Sequence, residues 1–379
     1  MEIIVYIIAL GILQGIILGA FLLTTKRGNL KANRILGALV ILFSFSISHA
    51  VLYPLGIYQK FPHLLMLNHP ILFLFGPLFY FYQRTLIDKS FNIERKNLLH
   101  FLPFVIYVII LSPLYLQSAE TKLEYLNGQL SRLAIFDYVV TPTQIIQLLI
   151  YLLVINKELK LYHSKIKNSY SSLEKINLNW LQTFIKLFLA VYGLMTIVLI
   201  LLFFGFNEFV YNYGAGLIGL IATVSIYAIG YKGLSQPEIF ISFYDIERQQ
   251  NEDVKIKIDE SQKNEIISKL KSVMNEKKLF LNSDLTLKEL ADSIYIQSYQ
   301  LSKMLNDEMN QNFYDFVNGY RIEEVKRLLI DEDYSNLSIL GIAFECGFNS
   351  KSVFNTVFKK NTNMTPSEFK KFEPQKIDE

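Results

Sequence analysis

Over residues 1–231 the chain repeats long apolar runs with few charges: Ile3 to Thr24, Ile35 to Leu55, Leu64 to Tyr82, Leu98 to Leu116, Ile135 to Ile155, Phe184 to Phe204 and Val210 to Tyr231. Hydrocarbon offers no partner for open backbone groups, so a segment that crosses it must be a helix of roughly 20 apolar residues. The runs therefore predict about seven spans. Asn68, His69, Pro70 and Pro77 interrupt the third, and Pro103 and Pro113 the fourth; packed spans tolerate such residues. The first run is long, has no basic segment before it and no small-residue cleavage pattern after it, which predicts a retained anchor rather than a signal peptide.

Beyond residue 232 the pattern changes. Residues 233–260 mix charges with a proline and hold no sustained period, so they read as a linker. If flexible, their length spans on the order of 30 Å. From Ser261 to Phe280, the residues Ile266, Ile267, Leu270, Val273 and Met274 recur at helical spacing between lysines and glutamates. This predicts an amphipathic helix that either packs on the domain after it or pairs with a second chain.

The last hundred residues carry one pattern twice. Thr286 and Glu289 form a capping box, in which each side chain satisfies a free amide of the other at a helix start. The short helix that follows buries Leu287, Leu290 and Ala291, turns near Ile294 to Ile296, and leads into a second helix, Gln297 to Glu308, with Leu301, Met304 and Leu305 inward. Ser298, Tyr299, Gln300 and Lys303 are left outside, side chains suited to base edges and phosphates. A longer helix, Phe313 to Ile330, bridges to the second copy about fifty residues on: Ile339, Ile342 and Ala343, a turn at Gly347 and Phe348, Asn349 as the expected cap, and an exposed helix to Lys360. Val353, Phe354, Val357 and Phe358 face in; Ser350, Lys351, Ser352, Asn355, Thr356 and Lys359 face out. Thr365 to Glu368 is another capping box, with Pro366 at the first helical position.

Charge refines this picture through its distribution, since the net value is only +3. Loops one, three and five between the apolar runs hold about thirteen Lys and Arg, and loops two, four and six about three, Lys60, Lys122 and Arg132. Cytoplasmic loops carry the basic excess, which predicts an external N-terminus and, after seven crossings, a cytoplasmic C-terminal half. From Leu281 onward there are 11 Lys and Arg against 16 Asp and Glu, an acidic balance for a nucleic-acid binder. However, Lys303, Lys351, Lys359, Lys360, Lys370 and Lys371 lie on or beside the exposed helices, whereas Glu323, Glu324, Asp331, Glu332 and Asp333 lie on the bridging helix and the loop after it. The single cysteine, Cys346, excludes an intrachain disulfide and reads as a small buried side chain.

Catalytic chemistry is not indicated. Asp137 and Lys186 lie near span ends, within snorkelling distance of water, and His49, Asn68, His69 and His100 stand in apolar surroundings without metal-ligand spacing. No phosphate loop, nucleophile elbow or paired-histidine zinc motif occurs. The reading is a non-enzyme with no cofactor and no metal.

The stretches LTLKELADSIYI, YRIEEVKRLL, IAFECGFNSKSVFNTVFKK and MTPSEFKK, in this order from about Asn282 to Lys371, resemble the DNA-binding domain of AraC/XylS transcription regulators. That resemblance implies seven helices, two recognition helices entering successive major grooves on one face of double-stranded DNA, and sequence-specific transcription control. It implies DNA contacts from Gln297, Ser298, Tyr299, Gln300 and Lys303 in the first unit, and from Asn349, Ser350, Lys351, Ser352, Asn355, Thr356 and Lys359 in the second. It gives structural roles to Ala291, Arg321, Ala343, Gly347, Phe348, Phe354 and Pro366. Asn310 and Asn363 replace the family's usual glycines after the recognition helices, and asparagine is the next best left-handed cap; Gln297 replaces a usual serine and weakens that cap.

The expected protein is thus all-α: a polytopic membrane bundle (1–232), a linker (233–260), an amphipathic helix (261–280), a seven-helix double helix-turn-helix domain (281–372) and a tail (373–379). Its expected partners are DNA, the lipid bilayer, a second copy of itself, and a small-molecule or envelope signal. The alternative from another class is a membrane receptor or scaffold whose helical domain docks a protein.

Overall fold

The computed structural model describes residues 2–26, 29–88, 90–127, 134–174, 176–206, 209–234 and 260–372. Most of the expected linker and the whole expected tail lie outside the described residues. Among those described, every regular element is helical, and the one β contact is an isolated bridge between Tyr170 and Thr286. The chain divides into two compact units, Met1–Leu159 with Leu178–Phe240, and Lys160–Asn177 with Ile241–Glu379.

Apart from single-turn pieces, the first unit is built from α1 (Glu2–Thr24), α2 (Leu30–Ser46), α3 (Leu72–Ile87), α4 (Leu102–Tyr115), α5 (Ala119–Leu126), the start of α6 (Ala134–Ser169), α7 (Asn179–Phe203) and α8 (Ala215–Leu234). Among the described residues six helical stretches are long and apolar enough to cross a membrane, and residues 215–229 add a shorter apolar helix where the seventh span is predicted. The third, Pro62–Ile87, contains the predicted Leu64 to Tyr82 but opens with short turns at Pro62–Leu64 and His69–Ile71 before α3 starts. The fifth runs on to Ser169; at 36 residues its rise is about 54 Å, well beyond the thickness of hydrocarbon.

Close approach, rather than bulk, packs α1 in this unit. A Cβ on Gly15 would meet Ser44 Oγ at 2.0 Å and Ile226 at 2.9 Å, and one on Gly19 would meet the Gly37 carbonyl at 2.8 Å. Small residues give this proximity where lipid supplies no hydrophobic drive between helices. Aromatic rings fill the space around α3: Phe43, Phe75, Phe79, Phe184 and Phe188 lie within 5.4–6.0 Å of one another in a chain of contacts. Three histidines are matched with tyrosine hydroxyls: His49 with Tyr58, His69 with Tyr107, His100 with Tyr151. Among the described residues no group of three or more His, Cys, Asp or Glu side chains is placed to hold a metal.

The second unit contains Lys160–Asn177, which is the end of α6 and the chain after it, and, among the described residues, seven further helices: α9 (Glu260–Glu276), α10 (Leu287–Ser293), α11 (Ser298–Lys303), α12 (Phe313–Ile330), α13 (Ile339–Glu345), α14 (Lys351–Thr362) and α15 (Pro366–Phe372). The amphipathic helix α9 ends earlier than the sequence suggests, because Lys278 takes a left-handed conformation (φ 47°) and Phe280 sits in a separate turn. Its apolar face, Ile266, Leu270, Val273 and Met274, packs into one core with Leu287, Leu290, Ala291, Leu301, Met304, Leu305, Phe313, Phe316 and Val317. A second core joins Ile322, Val325, Leu328 and Leu329 to Ile342, Ala343, Phe354, Val357, Phe358 and Phe369. Helix α12 therefore belongs to both cores, its first half to one and its second half to the other.

Glu324 on α12 accepts hydrogen bonds from Arg327 and, at 2.8 Å, from Lys278. These contacts, with Arg327 the foremost, hold its carboxyl below the usual carboxylate range. A lowered folded-state value contributes stability above the ordinary carboxylate range, lost as pH falls through the lowered value. The expected outcome is a steeper acid limb of stability than in Glu324→Gln, by roughly 0.2–1 kcal/mol because the cations are half exposed. Chemical unfolding of both chains between neutral pH and pH 3 checks it; superimposable acid limbs would contradict it.

Candidate nucleic-acid interface

The two copies of the sequence pattern become two helix pairs of matching local geometry. In the first, the turn after α10 is closed by the Ile296 amide donating to the Ala291 carbonyl at 3.1 Å; in the second, the Phe348 amide donates to the Ala343 carbonyl at 3.1 Å. Between these bonds stand Tyr295 (φ 60°) and Gly347 (φ 87°), both left-handed. Ala291 and Ala343 are both fully buried under their turns. Both capping boxes form as the sequence requires, Thr286 with Glu289 and Thr365 with Glu368.

The exposed helices follow with a constant register. Leu301, Met304 and Leu305 are buried in the first, and Phe354, Val357 and Phe358 in the second, an offset of 53 residues. The same offset relates Asn310 (φ 51°) and Asn363 (φ 59°), the two left-handed asparagines that close them. Lys351, Ser352, Asn355, Thr356 and Lys359 are all exposed on α14. In this register Ser302 and Asn306 stand where the second unit has Asn355 and Lys359. Neither is among the sequence-derived contacts; the spacing of the buried triplets was the signal that could have found them. Their side chains share one face, with Asn306 donating to the Ser302 carbonyl at 2.8 Å.

Several expected details differ. The first exposed helix is not continuous to Glu308: α11 ends at Lys303 and Met304–Glu308 form a wider turn, in which the Met309 amide reaches the Met304 carbonyl. Tyr299 is half buried, and its hydroxyl is turned inward without a hydrogen-bond partner. Gln300 turns its amide oxygen back onto the Gln297 amide at 3.0 Å. Ser298 is half buried and Gln297 and Lys303 are exposed. In the second unit Ser350, not Asn349, caps α14 by accepting from the Val353 amide. One extra residue follows the turn there, so Asn349 falls one position before the cap and its side chain reaches toward Asp284 and Ser172.

Between the two cores lies a polar seam centred on Arg321, which is 1% exposed. Its Nε donates to the Phe280 carbonyl at 2.7 Å, Nη1 to the Ser171 carbonyl and Asn318 Oδ1, and Nη2 to Ser171 Oγ and the Asn282 carbonyl. These partners are neutral oxygens, so burial pushes the guanidinium down to about 10, which leaves it charged at neutral pH. The Phe348 ring lies 5.9 Å from its Cζ. Cys346 is buried nearby, its thiol pushed up to about 12, mainly by burial, and therefore un-ionised and inert. Pro366 and Phe354 are buried in the second core region as the sequence indicates.

Residues 290–371 match the family model described as a helix-turn-helix domain. Over 102 residues the chain is 31% identical to an uncharacterised HTH-type transcriptional regulator of Staphylococcus aureus (strain COL), covering 27% of this chain and 13% of that protein. Over 103 residues it is 30% identical to the regulatory protein PocR of Salmonella typhimurium, 27% of this chain and 33% of PocR. A third relative, an uncharacterised HTH-type transcriptional regulator of Pseudoalteromonas carrageenovora, is 33% identical over 89 residues, 24% of this chain and 51% of its own. The C-terminal unit holds an AraC-type helix-turn-helix domain. The chain spans from about an eighth to about half the length of these relatives, and each match covers about a quarter of it. No solved structure matches. The AraC-type domain accounts for the paired turns, the shared bridging helix and the left-handed caps.

Proposed function

We propose that this chain is a membrane-anchored transcription regulator that reads a specific sequence in double-stranded DNA through α11 and α14. The carrying observation is the pair of helices whose buried triplets, and with them their polar side chains, stand in the same 53-residue register on either side of one bridging helix. On DNA such a pair reads two sites about one helical turn apart. Selection of random duplexes by the full-length chain in detergent micelles tests this: a motif with two half-sites at that spacing supports it, and no enrichment over salt-sensitive background removes it.

Lys351 and Asn355 are the strongest candidates for reading bases, being exposed on the first turns of the longer recognition helix. The double variant Lys351→Ala, Asn355→Ala is expected to weaken specific binding by roughly 1–3 kcal/mol for each base that is no longer read, measured by titration against the selected operator. Lys303 and Lys359 face solvent and suit phosphates, giving a salt-dependent component. Lys360 is tied to Asp315 at 2.8 Å, so Lys360→Ala is expected to lose less affinity than Lys359→Ala.

Membrane anchoring is supported by the apolar side chains that the first unit leaves uncovered, including Ile3, Leu10, Leu13, Ile17 and Phe21 along one side of α1. The seven-span topology has independent support. Lys160–Asn177 and Ile241–Glu379 form one compact unit and so share a side of the membrane. Residues 178–240 must then cross an even number of times, and α7 with the shorter α8 satisfies that. Together with the basic bias of loops one, three and five, this supports a reading with the N-terminus outside and the AraC-type domain in the cytoplasm. A small-molecule or envelope signal shifting the packing of the spans, read out through one domain or a pair of them, is the regulation we infer from this fusion.

A further inference from the structure

The seam around Arg321 is completed by a segment far away in sequence. Ser171 lies between the predicted fifth and sixth spans, 150 residues before Arg321, yet is 1% exposed. Every polar atom it has is engaged within the second unit. Its amide and its hydroxyl both donate to the Leu285 carbonyl, at 3.1 and 2.7 Å. Its carbonyl accepts from Asn318 Nδ2 and Arg321 Nη1, and its hydroxyl oxygen from Arg321 Nη2. On one side Tyr170 pairs with Thr286 as an antiparallel bridge. On the other, Ser172 Oγ accepts a long hydrogen bond from Asn349 at the entry to α14. The segment therefore touches the first helix-turn-helix unit through Leu285 and Thr286, the bridging helix through Asn318 and Arg321, and the second unit through Asn349.

A stray loop resting on a surface would leave its backbone in water. Here a buried cation with neutral partners takes two of its acceptors from Ser171, and two buried side chains, Asn318 and Arg321, are oriented by its carbonyl. Removing the segment would leave the Leu285 carbonyl and part of the guanidinium without partners in a buried place, a costly state. The segment itself is shaped to present Ser171: the Tyr162 hydroxyl donates to the Ile176 carbonyl at 2.7 Å, tying the end of α6 to the chain beyond the turn.

We propose that the segment from Ser169 to Ser172 is a strap built into the AraC-type domain, so that the loop between the fifth and sixth spans grips this domain directly, independently of the 233–260 linker. With the strap in place Gln297 and Lys303 of the first unit and Lys351, Ser352, Asn355, Thr356 and Lys359 of the second stay exposed, so it acts by fixing the two reading helices relative to each other rather than by covering them. Movement of the loop would then change operator binding without any change at the linker.

The test uses the full-length chain in micelles, with a specific protease site placed between residues 241 and 259 and an affinity tag on the N-terminus. After cleavage the C-terminal fragment is expected to stay with the tagged half. It should be released at least tenfold faster from Ser171→Pro, which removes the amide donor to Leu285. A peptide of residues 168–177 added to the cleaved wild-type chain is expected to displace the fragment in proportion to its concentration, which tests the same grip without any substitution. Prompt release from the wild-type chain overturns the proposal. So does equal retention in Ser171→Pro together with no displacement by the peptide, because some other part of the chain would then hold the fragment. No DNA is used, so a chain that keeps its fragment but selects no operator sinks only the DNA-binding reading.

Discussion

Arg321→Leu is expected to destabilise the C-terminal unit by about 3–5 kcal/mol, the range for removing one member of a buried charged network. The wild-type guanidinium closes hydrogen bonds to the carbonyls of Phe280, Asn282 and Ser171 and to Asn318 Oδ1. Leucine matches part of the stem volume and satisfies none of these. Two terms oppose each other: losing the buried charge recovers desolvation, while the orphaned oxygens cost roughly 1–3 kcal/mol each where no water reaches. With several acceptors stranded at once, the second term wins. Arg321→Lys is expected to restore only part of the loss, since one ammonium cannot reach the Phe280 carbonyl and the Ser171 oxygens along separate directions. Chemical unfolding of the full-length chain, followed by hydrogen exchange at the Ile296 and Phe348 amides, measures both; a loss under about 1 kcal/mol for Arg321→Leu would mean that water already serves the seam.

Gly347→Val is expected to cost roughly 2–5 kcal/mol, the sum of a left-handed backbone penalty for a branched side chain and overpacking. A Cβ at this position would meet the Phe280 and Leu281 carbonyls at 2.7 and 2.8 Å and Arg321 Nε at 3.1 Å, and φ is +87°. The two carbonyls are backbone, which cannot swing aside. The corresponding site in the first unit gives the control. Tyr295 holds φ 60° and is 93% exposed, so Tyr295→Gly meets no steric barrier and is expected to change stability by less than about 1 kcal/mol. If both substitutions proved equally mild, the close packing of Gly347 against the seam would be refuted.

Helix α12 was legible to the residue from periodicity, and both capping boxes followed from short-range spacing, because such features depend on neighbours within one turn. The family resemblance located the two turns and gave Arg321 its structural role. Misplaced details came from one-residue effects. The two turns are equally long, but one residue more stands between Phe348 and its cap than between Ile296 and Gln297, which shifts the cap from Asn349 to Ser350 and pairs Asn355 with Ser302. Tyr299 has the composition of an outward residue, yet its hydroxyl turns in. The strap was illegible for a different reason. Nothing local marks Ser171, and hydrogen bonds between residues 114 to 150 positions apart leave no periodic trace.

That separation also sets an order of events. At roughly 5–20 residues per second of synthesis, the strap leaves the ribosome on the order of 6–30 s before Leu285 and Arg321 do. In the proposed topology, the two helices after the strap enter the bilayer within that interval. The AraC-type domain then folds onto a segment whose side of the membrane is already decided. A chain in which only one of those two helices crosses presents no Ser171 to Arg321, and its domain is left with an open, partly unsatisfied seam. In the proposed topology, completion of the AraC-type domain would thus report that both helices after the strap have crossed, before the molecule can act.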